Sequence, residues 1–290
     1  MKVQCLSQNH VIMHDGELFN VNNLYNERNE EQPEDYQDRG LLTQTNKWID
    51  TFHPDNYKTL TLDEEDLRWM KKCLYSIGCI TRQFSHLYDD ELEATCKKHQ
   101  DNFPEGGPWF IRSEPVSLKE GEHGVGPYTN LKEIIESMVS VGMGHTCFKP
   151  DSSECKLYFM EWREIHPDKE FRIFVYQNKI TAISTQHYPV INTWIQEMRQ
   201  KDLETGRTDF LNMVQKIVDY FDSHIKTPLS YLENYTMDLA LTGDDENPYF
   251  IEPNGFGGDY PAGSALFHWY YDGDTLEDSS EIEFRYVGEE

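Results

Sequence analysis

The chain lacks long apolar runs, paired cysteine motifs and an excess of basic residues. No stretch approaches the roughly 20 apolar residues that a membrane helix needs, so we expect no membrane insertion. Its six cysteines are scattered without a Cys-x-x-Cys pair, which argues against zinc and disulfide frameworks and favours reduced thiols. The first 30 residues do not place a basic segment before an apolar one, so no signal peptide is visible and a cytoplasmic location is expected.

Acidic residues dominate the charge of the chain. The 290 residues include 26 lysines and arginines against 52 aspartates and glutamates, which gives a formal net charge of −26. A field of that sign repels nucleic acid and anionic membranes, and it favours basic protein partners. A nucleoside triphosphate could therefore bind only where local cations and Mg²⁺ outweigh the negative field of the chain. The candidate cations are Arg112, Lys119, Lys149, Lys156, Arg163 and Arg172.

The glycine-rich stretch GEHGVG at residues 121–126 is not a P-loop. It lacks the Gly-Lys-Ser/Thr ending, and it does not open a helix directly after a strand. We expect this stretch to be a flexible loop that could act as a lid over phosphates. His123 within the loop is expected to be a surface residue rather than a ligand.

Apolar periodicity predicts an α+β fold. Helical spacing follows the capping-box pattern Thr61–Glu64, with Gly78 expected as the C-cap, and recurs over 131–140 and 209–225. Apolar and alternating runs predict strands, two of them joined by a hairpin turn at 177–178. The predicted strands are 109–111, 156–161, 170–176, 179–186, 235–241 and 249–253. This order of elements favours mostly antiparallel sheets with packed helices, in one large domain or two lobes.

Composition divides the chain into three segments. Residues 1–60 form an N-terminal segment whose acidic stretch at 26–38 has little to bury, so we expect a mobile loop there. The folded core is expected over residues 61–272. Residues 273–290 are acidic and are expected to form a partly disordered tail.

Two acids and an amide form the first candidate site. Asp238 is followed fourteen residues later by Glu252-Pro253-Asn254, and all three polar side chains offer the hard oxygen ligands that Mg²⁺ prefers. On neighbouring antiparallel strands these side chains would share one face, because residues two apart point to the same side. The spacing alone favours a simpler interpretation, in which they are solvated residues near strand ends and turns.

Basic residues supply the second candidate set. Arg172, in the predicted strand Glu170-Phe171-Arg172, could give phosphates a forked and always-charged contact. The same pattern is also typical of an exposed strand face with cross-strand salt bridges. Arg112 and Lys119 lie around a turn that could hold a phosphate or could be a solvated loop.

Short segments in a fixed order extend from about residue 62 to 272. They are Trp109–Arg112, Ser117–Glu120, Leu157–Trp162, Glu164–Pro167, Glu170–Val175, Ile183–Gln186, Met237-Asp238, Phe250–Gly257 and Leu266–Trp269. No single segment is decisive, but the ordered set is specific. Together the segments resemble the cell division cycle protein 123 family, a divergent clade of the ATP-grasp fold.

The resemblance implies a fold of two lobes that enclose ATP, with the lobe boundary near residues 160–165. Arg112 falls where the family has a phosphate-binding basic residue, and Lys119 is a cofactor-binding candidate beside it. Glu161 and Trp162 fall on the hinge whose backbone meets the adenine in such proteins.

The resemblance also assigns roles to the C-terminal candidates. Arg172 is implied as the phosphate-side arginine and, if the chain is catalytic, as its catalytic residue. Asp238, Glu252 and Asn254 are implied as Mg²⁺ ligands, with Glu252 standing where aspartate is commoner in the family.

Three uses of the fold stay open from the sequence. The first is a ligase-like enzyme that activates a carboxylate as an acyl phosphate for attack by an amine. The second is an ATP-dependent, non-catalytic assembly factor, because eukaryotic relatives bind the gamma subunit of translation initiation factor two. The third is a pseudoenzyme without ATP binding, suggested by Met160-Glu161 where relatives carry Arg-Lys before the hinge tryptophan.

Overall fold

The chain has a mixed α+β fold that divides into two units. The computed structural model describes residues 1–11, 33–260, 262–278 and 280–289. The split unit comprises Met1–Thr43 and Glu164–Glu290, and the inserted unit comprises Gln44–Arg163. In chain order, the strands of the described residues are β1 (Lys2–Ser7), β2 (Tyr57–Leu62), β3 (Trp109–Arg112), β4 (Cys155–Glu161), β5 (Glu170–Tyr176), β6 (Lys179–Thr185), β7 (Tyr235–Thr242), β8 (Asn247–Asn254) and β9 (Glu283–Gly288).

The split unit is built on a sheet whose strand order is β1-β9-β6-β5-β7-β8. The four strands from β6 to β8 pair antiparallel, as predicted. The pairings of β9 with β1 and with β6 are parallel, so the sheet is mixed, with three antiparallel and two parallel pairings. The α-helices that accompany it are Gln8–Val11, Tyr36–Leu42, Thr193–Thr205, Asp209–Tyr220 and Gly273–Leu276.

The hairpin between β5 and β6 forms at the predicted turn. Gln177 and Asn178 have φ angles of 50° and 56°. Two consecutive residues with positive φ are what a two-residue type I′ hairpin requires, and asparagine tolerates that conformation better than most residues. The turn therefore fixes which residues of β5 and β6 lie opposite each other, and with them the face on which Arg172 lies.

The two faces of this sheet are covered by different structures. On one face, Phe171 contacts Trp194 and Phe284 contacts Phe210, so the helices Thr193–Thr205 and Asp209–Tyr220 pack there. On the other face, Phe174 packs against the aromatic side chains at 267 and 269. Alternation along β5 places Arg172 on this second face, beneath the segment that follows β8.

The termini belong to the sheet and not to separate segments. Residues 283–288 were expected in an acidic tail, but they form β9, whose six residues are all buried. Phe284 and Tyr286 alternate as in a strand, but the charged residues Glu283 and Arg285 beside them make the segment look polar in the sequence. In the structure Arg285 donates to Glu283. The predicted loop at 26–38 lies largely outside the described residues, and its described end opens the helix Tyr36–Leu42.

The inserted unit has a three-stranded antiparallel sheet in the order β2-β4-β3. Its core gathers buried side chains of the sheet and the helices, among them Leu67, Ile111, Ile134, Leu157 and Phe159. Its α-helices are Thr45–Phe52, Glu64–Cys73, Cys79–Thr81, Asp89–Lys98 and Leu131–Met138. In the parts of both units that the structure describes, no helix is long and apolar enough to cross a membrane.

The helix Glu64–Cys73 begins two residues later than the predicted capping box. Asp63, not Thr61, is the N-cap, and its partner in the box is Asp66. Gly78 does not end the helix, because helical turns continue to Thr81 and Arg82 takes the left-handed conformation after them. A Cβ on Gly78 would stand 1.8 Å from the carbonyl oxygen of Val139, so close packing explains this glycine.

We expect Asp63→Ala to lower the free energy of unfolding by about 1 kcal/mol at neutral pH, the usual value of an N-cap. Asp63 accepts backbone N–H groups of Glu65 and Asp66 and contacts Lys98 Nζ at 2.6 Å. The hydrogen bond from Lys98, with the backbone N–H of Asp66, lowers the pKa of Asp63 to about 2. This contribution is present above the unfolded pKa and is lost as pH falls toward about 2.

Urea unfolding of wild type and Asp63→Ala checks this expectation. The difference between the two proteins should shrink from neutral pH to about pH 3, because the unfolded chain takes up a proton at Asp63 in that range while the folded chain does not. Lys98 adds little by itself, since Asp63 is half exposed and such pairs contribute below about 1 kcal/mol. An equal difference at both pH values would contradict the role of the carboxylate.

The glycine-rich residues 121–126 are held by side-chain hydrogen bonds, which differs from the flexible loop predicted. The backbone N–H of Glu122 donates to Ser140 Oγ at 2.9 Å, and that of His123 donates to Ser137 Oγ at 3.2 Å. Short hydroxyl side chains thus take up the donors that the loop would otherwise offer to a phosphate. A phosphate lid at these residues would first have to break these bonds.

Candidate functional site

A row of polar side chains crosses the sheet of the split unit. Asp238 on β7 lies opposite Arg172 on β5 and opposite Glu252 on β8. Arg172 in turn lies opposite Ser184 on β6, and Ser184 lies opposite Arg285 on β9. Directly opposed residues project to the same face with Cβ atoms about 5 Å apart. Five strands therefore bring these side chains into one line beneath the segment that follows β8.

Asp238 is the centre of this row, and each of its oxygens accepts two donors. Oδ1 accepts Arg172 Nε at 2.9 Å and Gln186 Nε2 at 2.8 Å. Oδ2 accepts Arg172 Nη2 at 2.8 Å and Asn254 Nδ2 at 3.4 Å. A carboxylate has about four lone-pair positions, so this set uses all of them. A metal ion at Asp238 must therefore replace a donor or share its lone pair.

Arg172 supplies the positive charge beside Asp238, whereas the other arginine of the row, Arg285, pairs with Glu283 and Asp272. The Arg172 side chain is 11% exposed and that of Asp238 is 4% exposed. Nη1 of Arg172 donates to the carbonyl oxygen of Gly263 at 2.6 Å. Burial lowers the pKa of Arg172, but the charge and hydrogen bonds of Asp238 and the charge of Glu252 raise it above its ordinary value. The guanidinium thus stays charged and is fixed as a two-pronged fork on Asp238.

Glu252 and Asn254 share the same face of β8. The register between β7 and β8 shifts just after Asp238, and the strands then continue to Thr242 and Asn247. A bulge of this kind twists the strand locally and changes the direction of its side chains. Here Glu252 remains opposite Asp238. Glu252 and Asn254 are both half-buried, so they lie at the accessible end of the row.

The donor set of the row fits Mg²⁺ in chemical type. Two carboxylates and one carboxamide are hard oxygen ligands, and Mg²⁺ usually keeps further positions for water and phosphate. Among the described residues, no group of three or more His, Cys, Asp or Glu side chains is placed to hold a metal. A metal here would therefore depend on Asp238, Glu252 and Asn254 together.

Two participants in the site were not predicted as such. Gln186 was recognised only as part of a strand and of a family segment, yet its amide donates directly to Asp238. Gly263 contributes a backbone carbonyl, which no side-chain pattern can signal. The sequence did hold a signal for Gln186. It directly follows a strand and lies two residues beyond Ser184, hence on the same face.

Arg112 and Lys119 lie in the inserted unit, on either side of a turn that follows β3. Arg112 is only 3% exposed, and its guanidinium stands over the ring of Trp48 at 5.2 Å. Lys119 is exposed. The predicted turn is present, since Arg112 bridges to Ser117, but the two cations differ in environment. Arg112 is buried against an aromatic ring, whereas Lys119 faces solvent.

Glu161 and Trp162 lie at the end of β4. Glu161 is exposed and pairs in register with Trp109, while Trp162 is half-buried. The backbone N–H of Trp162 donates to the carbonyl oxygen of Pro108 at 3.0 Å. A Cβ on Gly126 would stand 3.2 Å from the Trp162 ring, so that ring is packed against the glycine. The Trp162 N–H, one of the backbone groups of the expected hinge, is thus engaged within the unit.

The fold is that of a Cdc123-like α+β protein. The structure of Cdc123 from Schizosaccharomyces pombe matches with a TM-score of 0.55 and 14% identity, covering 88% of this chain and 98% of that one. C-terminally truncated Cdc123 from the same organism matches with a TM-score of 0.58 and 15% identity over the same shares. At this level of identity the likeness shows the fold alone.

The family follows from the sequence match. The D123 family model matches residues 143–290, half of the chain, and this range includes Arg172, Asp238, Glu252 and Asn254. The chain therefore belongs to the D123 family, the family of Cdc123, and the predicted resemblance is confirmed. A comparison with curated protein sequences gave no match.

Proposed function

We propose that the chain binds Mg·ATP with an ATP-grasp-like site whose metal and phosphate end is the row of Arg172, Asp238, Glu252 and Asn254. The observation that carries the proposal is the register, which aligns one arginine with two acids across three neighbouring strands. Residues far apart in the chain thus place a phosphate-binding fork beside hard oxygen ligands.

The roles of the side chains follow from their donor atoms. The carboxylates of Asp238 and Glu252 and the amide oxygen of Asn254 would hold Mg²⁺, which when bound neutralises charge on the phosphates. Arg172 would donate its N–H groups to phosphate oxygens, in the two-pronged manner in which it now donates to Asp238. If the chain is catalytic, the same contact would make Arg172 the catalytic residue.

The charges of the row make nucleotide binding depend on the metal. Arg172 against the carboxylates of Asp238 and Glu252 leaves a formal charge of −1 at this end of the row, and the whole chain carries −26. A triphosphate would be repelled by both, whereas a bound Mg²⁺ reverses the local sign. We therefore expect little ATP binding in the absence of a divalent cation.

Four residues of the inserted unit are also proposed to bind the nucleotide, because the family resemblance implies them. Lys119, Glu161 and Trp162 are proposed as cofactor-binding residues, with Lys119 as a solvent-exposed cation and Trp162 acting through its ring or carbonyl oxygen. Arg112 is proposed to act on the nucleotide only if it leaves the Trp48 ring.

Calorimetric titration with ATP tests the proposal. Wild type should bind ATP in the presence of Mg²⁺ and at least about tenfold more weakly with a chelator. Glu252→Gln keeps the shape of the side chain but removes one charge, so Mg·ATP affinity should fall at least about tenfold. Glu197→Gln is the matched control, because Glu197 is exposed on the helix Thr193–Thr205, which packs on the opposite face of the sheet.

Two outcomes would sink the proposal. Wild type that gives no heat with Mg·ATP would favour a pseudoenzyme that keeps the fold without the nucleotide. Unchanged affinity in Glu252→Gln would mean that ATP binds elsewhere, because the row would then contribute nothing.

We propose that the chain uses the nucleotide as an ATP-dependent assembly factor for a translation initiation factor subunit. A ligase is the second candidate function. Family membership supports this order, and the acidic charge suits a basic partner. Mixing purified gamma subunit of translation initiation factor two with the chain should give an ATP-dependent complex on gel filtration. ADP formation that requires a small acid and an amine would instead favour the ligase.

A further inference from the structure

Gln186 stands out as a residue of the site whose role is not explained by metal or phosphate binding. Its Nε2 donates to Asp238 Oδ1 at 2.8 Å, the oxygen that also accepts Arg172 Nε. In the orientation that the structure shows, the Gln186 amide presents its nitrogen to Asp238, and an amide nitrogen is a donor only and cannot ligate a metal. At this position Gln186 therefore competes with a metal for the same carboxylate oxygen.

The backbone holds Gln186 where it makes this contact. Its N–H donates to the carbonyl oxygen of Glu170, and its own carbonyl oxygen accepts the N–H of Tyr188. Both bonds are 3.0 Å long. Gln186 directly follows β6, on the face that carries Ser184, so its side chain is aimed along the row. The amide is thus positioned by the strand rather than reaching the site by chance.

The arginine fork completes the set of donors. Arg172 occupies one lone-pair position on each oxygen of Asp238, and Asn254 takes the remaining position on Oδ2 at the longer distance of 3.4 Å. Hydrogen bonds to a charged group are stronger than those between neutral groups, so removing a donor changes metal affinity measurably. Asn254 has a further option, because its amide can present oxygen instead of nitrogen.

We propose that Gln186 is a gating residue that, together with the Arg172 fork, keeps Asp238 closed to a divalent cation until a donor is displaced. The inference rests on the proposed function, since it concerns the same row. Its consequence is that bare metal binds weakly, and that metal binds well when a phosphate takes over the N–H groups of Arg172. Gln186 then sets how strongly metal and nucleotide depend on each other.

Mn²⁺ without nucleotide is the probe that isolates this gate, with free Mn²⁺ measured by electron paramagnetic resonance. Gln186→Leu removes the donor at similar volume, so Mn²⁺ should bind about tenfold more tightly than in wild type. Gln215→Leu is the matched control, because Gln215 Nε2 also donates to an aspartate, Asp219, at 2.8 Å, but on an exposed helix face. Its Mn²⁺ affinity should equal that of wild type.

A gain of affinity separates gating from a merely structural role, because a damaged site would lose metal. Gln186→Leu with Mn²⁺ affinity equal to or below that of wild type would overturn the inference, as would no binding by either protein up to about 10 mM. Failure of the proposed function is seen separately, since wild type would then not bind Mg·ATP whatever the Mn²⁺ result.

Arg172→Lys provides a second, independent readout. Lysine keeps the charge but replaces the fork with a single ammonium, which leaves part of Asp238 open. Mn²⁺ alone should bind more tightly, while Mg·ATP should bind more weakly because the phosphate loses its fork. Changes of the same sign for both ligands would contradict the gate.

Discussion

Ending the chain after residue 281 should abolish folding of the split unit. The deletion removes β9, which lies between β1 and β6 and pairs with both. Burial of Phe284, Tyr286 and Val287 alone stabilises by about 6 kcal/mol, a large part of the usual 5–15 kcal/mol of a domain. The strands on either side of the gap would also lose their hydrogen-bond partners.

Far-UV circular dichroism and limited trypsin digestion of the purified truncation measure this effect. The truncated chain should lose its cooperative thermal transition for the split unit and become trypsin-sensitive there. A chain ending after Gly288 is the control, because it keeps all of β9 and should melt as wild type does. A truncation after residue 281 with unchanged melting would show that β9 is dispensable.

Asp238→Ala should lower the free energy of unfolding by about 3–5 kcal/mol. The substitution leaves Arg172 buried and charged without its carboxylate, and breaking a buried pair by removing one partner has this cost. The amides of Gln186 and Asn254 would lose their acceptor as well. Urea denaturation at neutral pH gives the difference directly.

A double mutant distinguishes an unpaired charge from lost packing. Arg172→Met with Asp238→Leu replaces the pair by apolar side chains of similar size and should recover most of the loss. If the free energy of unfolding of Asp238→Ala lies within about 1 kcal/mol of that of wild type, the Arg172–Asp238 pair contributes no more than a solvated ion pair does. This cost is also why Glu252→Gln, and not Asp238→Ala, is the cleaner variant for nucleotide binding.

Much of the split unit could be predicted because its local patterns are strong. β5 was predicted with its observed bounds, and β6, β7 and β8 within two residues at each end. Alternation and turn chemistry act over a few residues, so they can be read from the chain directly. Register on these strands then brought Arg172, Asp238 and Glu252 together, as the family resemblance implied.

Other features were out of reach of local patterns. The sequence of β9 looks acidic and polar because Glu283 and Arg285 alternate with its aromatic residues. Arg285 is buried through a partner outside the strand, Asp272. Arg112 was implied as a phosphate-binding residue by the resemblance, and no local pattern signals that its guanidinium stands over Trp48, 64 positions earlier in the chain. The helix Thr193–Thr205 has a weakly amphipathic sequence and was not predicted.

By itself the sequence determined the types of ligand and the bounds of β5 to β8 to within two residues, because donor chemistry and side-chain alternation are local properties. The tertiary structure decided which donors meet which oxygens. Arg172 and Asp238 are 66 residues apart, and Gln186 and Asp238 are 52 apart, so only strand pairing could bring two arginine nitrogens and two amides onto one carboxylate. That full set of donors around one buried carboxylate is a property of the tertiary fold and not of any local pattern.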